Sequence, residues 1–249
     1  MRRIIRKELT KDIQRYLARK QEEVAATDAV ESLWKKARKT KSLQAVFNCL
    51  IEMSGKRQRC MYCDDSRGTT IEHYWPKSVY GSKCFLWENM LLLCQGCQCH
   101  KGNRFDLDSR GQPLLINPVD DDPWDFLFFE TTTGILVARY EPAIGAPNPK
   151  GAHTTHSRVL PLNIEAITEG RLRTKRNLQR AIEAYLRELD SGGPPGAARD
   201  DLVQAIREND DYGLSIWFFL RDGKEESPFS LLRMKYPETW GQIERFLWS

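Results

Sequence analysis

Apolar residues spaced three and four apart, with charged residues between them, predict helices toward both ends of the chain. In residues 9–25, Ile13, Tyr16 and Leu17 share one face, and Lys and Glu fill the others. Residues 28–53 form a second helical region with two apolar clusters, Val30, Leu33 and Trp34, then Leu43, Val46, Phe47, Leu50 and Ile51. The basic stretch Lys35–Lys41 marks a break between them. Asp28 is positioned to cap the start, with Glu31 three residues on as in a capping box. Gly55 stops the helix. From 56 to about 118 the helical rhythm disappears, and Cys, His, Asn, Gly and aromatic residues replace it. Thr69–Tyr74 reads as a short strand. Phe126–Glu130 and Ile135–Tyr140, rich in aromatic and β-branched residues around the polar turn Thr131–Gly134, predict a β-hairpin. Residues 141–163 contain four prolines and are expected to be loop. Residues 164–190 give a strongly amphipathic helix through Leu178, Ala181, Ile182, Tyr185, Leu186 and Leu189. Its outer face is basic, with Arg173, Lys175, Arg176, Arg180 and Arg187. The breaker Ser191–Gly196 precedes two further helices, 198–221 and 228–247, with Pro228 in the first turn of the second.

Composition narrows the class. The 249 residues are 41% hydrophobic and 29% charged, a globular profile with room for one large domain or two small ones. No run of eighteen apolar residues is present, so no membrane span is expected. The basic start has no apolar segment after it, which argues against a secretory leader and for the cytoplasm. Seven cysteines in that compartment point to metal binding rather than disulfides. The formal net charge is only +4, but residues 1–60 hold 16 Lys and Arg against 7 Asp and Glu. The first quarter is therefore strongly basic and the remainder net acidic. That asymmetry suits contact with a phosphate backbone, although a charge run alone is more often a solvated helix face.

The chemistry concentrates between 56 and 118. Cys60/Cys63 and Cys94/Cys97 are two Cys-x-x-Cys pairs, each able to bring two thiolates to one ion, and together they predict a structural zinc site. Cys99 is close enough to Cys97 to be an alternative ligand, while Cys49 reads as a small core residue. Between the pairs lie Glu72 and His73, neighbours that a regular strand places on opposite faces. An imidazole beside a carboxylate, with Asn89 and the cluster Gln98–Arg104 nearby, suits metal-assisted hydrolysis. The His takes a proton from water, while a carboxylate and a carboxamide or second imidazole hold a hard divalent cation. The acidic run Asp120, Asp121, Asp122 and Asp125 reads as a turn or cap before it reads as a metal site. His153 and His156 read as surface loop residues, and the aromatics of 216–219 and 240–248 as core or docking surface.

These motifs carry a resemblance. The series Cys60-x2-Cys63, Ile71-Glu72-His73-x2-Pro76-Lys77, Trp87-x-Asn89-x-Leu91-Leu92-x-Cys94-x2-Cys97 and Lys101-Gly102-Asn103 resembles an HNH endonuclease of the zinc-stapled kind. The resemblance implies an α+β fold with a ββα-metal module embedded in a mainly helical chain. It implies His73 as general base, Glu72 as ligand of a catalytic Mg²⁺ or Mn²⁺, Asn89 as brace of the base-carrying loop, and the four cysteines as zinc ligands. At the third HNH position stands Gln98, where the family usually has His or Asn; His100 and Asn103 lie close enough to replace it. Lys77, Lys101, Asn103 and Arg104 are the expected DNA contacts. A looser likeness runs through Pro113–Pro118, Asp121–Pro123, Leu160–Asn163 and Arg171–Arg173. It resembles the HNH subunit of bacterial Septu-type and retron-associated antiphage systems, which implies a cytoplasmic bacterial nuclease acting with an ABC/SMC-like ATPase. The expected organisation is a basic helical region (1–55), the nuclease module (56–118), a hairpin and loop region (119–163) and a helical C-terminal region (164–249). The rival expectation is a catalytically silent, zinc-stapled subunit that binds nucleic acid or docks a partner.

Overall fold

The computed structural model describes residues 1–26 and 29–248, the last of these by its backbone only. The cap expected at Asp28 lies outside the described residues. The chain runs α1 (Lys11–Ala25), α2 (Val30–Ala37), α3 (Lys41–Met53), β1 (Thr70–His73), β2 (Met90–Leu93) and α4 (Gln95–Lys101). It continues through β3 (Leu127–Phe129), β4 (Leu136–Ala138), β5 (Tyr140–Glu141), β6 (Ala146–Pro147) and α5 (Pro149–Thr155). It ends with α6 (Glu165–Asp190), α7 (Pro195–Glu208), α8 (Leu214–Leu220), α9 (Phe229–Lys235) and α10 (Pro237–Trp248). The fold is mixed and helix-rich. Its strands pair two by two, β1 with β2, β3 with β4 and β5 with β6.

Two compact units divide the chain. The first comprises Met1–Leu127 and Val137–Leu162, the second Phe128–Leu136 and Asn163–Ser249. In the first, the antiparallel register sets Thr70 opposite Leu93 and His73 opposite Met90. All four residues of β2 are buried, and α3 packs against this strand, presenting Leu43, Val46 and Leu50. Thr40 caps α3, its side chain accepting from the Leu43 amide, so the basic stretch does contain the expected break.

The N-terminal region belongs to this unit rather than standing apart. Ile4 N–H donates to the Pro118 carbonyl at 2.7 Å. The Arg6 guanidinium donates to the carbonyls of Met90 and Glu88 at 2.8 and 3.0 Å and lies over the Trp87 ring. The Trp87 indole donates to the Lys7 carbonyl at 3.0 Å. Part of the basic surplus is thus spent on holding the chain start against the strands.

Three expected elements differ. The 141–163 loop contains β5, β6 and α5. Asn148 caps α5 through the Gly151 amide at 2.9 Å, and Pro149 occupies its first turn; helices this short leave little periodic signal. The 198–221 helix is instead α7 and α8, separated where Tyr212 and Gly213 adopt positive φ. The 228–247 helix is α9 and α10, parted before Pro237, whose missing N–H cannot continue the first. In the second unit, Leu178, Ile182 and Tyr185 of α6 are buried, as are Leu202, Trp217, Phe218, Phe219, Phe229 and Ile243. Phe218 and Phe229 stack at 4.4 Å. Leu178, Ile182 and Tyr185 of the apolar face read from 164–190 and the aromatics of 216–219 are therefore core, while Ala181, Leu186 and Leu189 are half-buried.

Candidate functional site

The four cysteines of the two pairs converge. Cys60 and Cys63 sit in a tight turn, with the Cys60 amide bonded to the Ser66 carbonyl and the Asp64 amide to the Cys60 carbonyl, each at 2.9 Å. Cys94 immediately precedes α4, and its sulfur accepts from the Cys97 amide at 3.4 Å. All four thiols are buried, and their sulfurs lie within 4.8 Å of one another. Cys63 and Cys94 Sγ are 3.9 Å apart. A tetrahedral zinc with sulfur ligands at about 2.3 Å spaces them by roughly 3.8 Å, so the donor set, burial and spacing fit a zinc ion. Burial pushes the Cys60 thiol up strongly, a cost that a bound divalent cation offsets. Cys99 is exposed, so Cys97 is the fourth member of the cluster.

Beside the cluster, β1, β2 and α4 follow one another as strand, strand and helix, with α4 against β1. Gln98 and Lys101, three apart on one face of α4, both reach Glu72. The Gln98 amide donates to Glu72 Oε2 at 3.0 Å. Lys101 Nζ donates to Glu72 Oε1 at 3.2 Å and to the His73 carbonyl at 2.6 Å. Lys101 is fully buried, whereas the Glu72 side chain keeps 13% of its surface open. Burial pulls the Lys101 pKa down, and the Glu72 carboxylate opposes that shift. The expected role of Lys101 as a DNA contact is therefore corrected: a side chain with no open surface cannot meet a phosphate.

His73, one residue on, points elsewhere, as strand alternation requires. Its ring is buried, with Nε2 2.9 Å from the Cys84 carbonyl, and the Trp34 ring meets it edge-on at 4.4 Å. A carbonyl can only accept, so Nε2 carries the proton and Nδ1 is left as the acceptor nitrogen. Burial, then the charge of Lys77, pulls the His73 pKa down to about 3; the ring is neutral at neutral pH. Asn89 is also buried. Its Oδ1 accepts from the Trp75 amide at 2.7 Å, and its Nδ2 donates to the carbonyls of Trp75 and Lys83 at 3.1 and 2.9 Å. It thereby closes the loop that follows His73.

A cleft of about 550 Å³ adjoins Gln98. Glu31, Trp34, Arg38, Leu43, Gln44 and Phe47 line it from α2, α3 and their junction, and Thr69–Ile71, Lys77 and Gln98 line it from the strand side. Lys77 Nζ pairs with Glu31 at 2.8 Å. Of the other expected residues, His100 is exposed on α4, with Nδ1 3.3 Å from the Ser157 carbonyl, so Gln98 rather than His100 stands at Glu72. Asn103 accepts from Ser78 Oγ at 2.7 Å, and Arg104 is exposed and bonds the His100 carbonyl. The acidic run is a capping network. Asp121 accepts from the Asn117 amide and pairs with Lys150, both at 2.7 Å, and Asp122 caps the turn at Trp124. Sequence reasoning missed Trp34 and Cys84 as neighbours of His73, because no local spacing connects a residue of α2 to the end of β1.

No family model matches the chain. It is homologous over part of its length to two bacterial proteins. It is 35% identical over 79 residues to the Septu protein PtuB of Bacillus thuringiensis, covering 30% of this chain and 28% of that protein. It is 31% identical over 124 residues to the Septu protein PtuB of Bacillus mycoides (strain KBAB4), covering 37% and 41%. The matched stretches span less than half of either relative. Among the described residues, no helix is long and apolar enough to cross a membrane.

Proposed function

We propose that the chain is a metal-dependent HNH endonuclease that hydrolyses DNA phosphodiester bonds. In this reading it is the nuclease subunit of a Septu-type antiphage defence system and acts with an ATPase partner. The observation that carries the reading is the meeting of Glu72 and Gln98 across β1 and α4, beside four converging cysteines. The partial homology to Septu proteins supports the defence role.

Glu72 offers carboxylate oxygens and Gln98, by turning its amide, a carbonyl oxygen. One carboxylate, one neutral oxygen and solvent suit Mg²⁺ or Mn²⁺. Such an ion, when bound, supplies the positive charge that stabilises the phosphate and the leaving oxygen. His73, held by the Cys84 carbonyl in the tautomer that leaves Nδ1 unprotonated, accepts the proton of the attacking water there. Asn89 holds the loop between His73 and β2 in place. The cleft beside Gln98, with Arg38 and the Glu31-paired Lys77 in its walls, receives the phosphate backbone through charge rather than base reading.

The test is plasmid cleavage by the zinc-loaded chain with Mg²⁺, Mn²⁺ or EDTA, alongside Glu72→Gln and Gln98→Ala. Cleavage only by the wild type, and only with metal, is expected. The low basicity of His73 and the Lys101 contact to Glu72 favour a second reading, a subunit silent by itself. If so, cleavage stays absent until the proposed ATPase partner is added, or never arises.

A further inference from the structure

Both oxygens of Glu72 are already occupied, and the two partners differ in kind. Gln98 is neutral, half-buried and able to turn its amide from donor to acceptor. Lys101 can do neither. Its Nζ is anchored by the His73 carbonyl at 2.6 Å, has no surface open to solvent, and stays 3.2 Å from Glu72 Oε1. A cation entering at Glu72 therefore meets a fixed positive charge at close range and finds the carboxylate already neutralised. In a poorly solvated site that repulsion is strong.

Resting on the nuclease reading above, we propose that Lys101 is a positioning residue, the internal counter-ion of Glu72, and that it sets divalent-ion affinity low in the absence of substrate. The negative charge missing from the site is then the one that a phosphodiester brings, so ion and substrate favour each other's entry. Lys101 also keeps the half-buried carboxylate oriented, because the ammonium satisfies it.

The experiment is Mn²⁺ binding, followed by electron paramagnetic resonance on the full, zinc-loaded chain without nucleic acid. Lys101→Met is expected to bind Mn²⁺ at least about tenfold more tightly than the wild type, because one fixed like charge is removed. Adding Glu72→Gln to the same chain is expected to erase the gain. Lys101→Gln, which keeps a donor for the His73 carbonyl, is the second variant and is expected to move in the same direction. A merely structural lysine would leave affinity unchanged or weaken it. Unchanged or weaker binding by either variant, with wild-type zinc content and a cooperative unfolding transition, overturns the proposal. The readout needs no cleavage. A tightened site in a chain that never cuts DNA keeps the counter-ion and removes the nuclease, whereas metal-dependent cutting with no tightening does the reverse.

Discussion

Glu72 is tied to a buried lysine, and this changes what its substitution does. Its removal leaves the Lys101 ammonium buried and unpaired, and breaking one side of such a pair costs about 3–5 kcal/mol. Glu72→Ala is therefore expected to lower the unfolding free energy by that amount in a urea titration. Gln98→Ala, which removes one neutral hydrogen bond, is expected to cost about 1 kcal/mol. The motif alone suggests that Glu72 and His73 can be lost without structural cost; the packing of His73 against Trp34 and of Glu72 against Lys101 says otherwise. Asn89 makes three hydrogen bonds to the loop between the strands, two to Trp75 and one to the end of the 3-10 turn Gly81–Lys83. Asn89→Ala is expected to cost about 3 kcal/mol, since buried partners are left without water to replace it. These positions were legible in the sequence as chemistry, through residue type and spacing. Their partners Lys101, Trp34 and Cys84 were not, because a side chain's direction at a strand end depends on what covers it.

At the scale of elements, a zinc ion at the four cysteines would hold together segments that local structure cannot. The Cys60–Cys63 turn and the start of α4 are 31 residues apart at Cys63 and Cys94. Zinc binding in small modules is worth on the order of 10 kcal/mol at neutral pH, comparable to the whole stability of a domain. Cys60→Ser is expected to leave the first unit without cooperative unfolding, with less than one zinc per chain by atomic absorption. In the second unit, α6 carries Gly170 where an added methyl would run into the Tyr212 hydroxyl. Gly170→Ala is expected to destabilise by about 1–3 kcal/mol through overpacking, despite a helix-propensity gain of about 1 kcal/mol, as thermal denaturation will read. The long α6 was readable from its 3.6 period. The divisions between α7 and α8 and between α9 and α10 also carry local signals, the polar turn Asn209–Gly213 and Pro237, which the reading of two continuous helices passed over.

For the whole molecule, the two units each have a core of their own. Leu43, Val46, Tyr62, Phe85 and β2 lie in one, and Leu178, Ile182, Trp217, Phe218 and Phe229 in the other. Calorimetry is expected to resolve two transitions, since separately cored units need not unfold as one. A zinc chelator is expected to lower only the transition of the unit that contains Cys60. If one transition appears and shifts as a whole, the units unfold together.

The amino-acid sequence by itself determined the four-cysteine cluster, the short strand that carries Glu72 and His73, the long amphipathic helix and part of the hydrophobic core, Leu43, Val46, Leu50, Leu178, Ile182 and Tyr185 among it. Each depends on residue type and on spacing along the chain, which a linear string records. Only the tertiary structure decided that Gln98 rather than His100 meets Glu72, that Lys101 is buried as its counter-charge, that Trp34 packs edge-on against His73, and that Arg6 is spent on carbonyls rather than exposed. Those outcomes depend on which distant surfaces meet and exclude water. Burial then converts the same charged side chain from a phosphate contact into a structural ion pair.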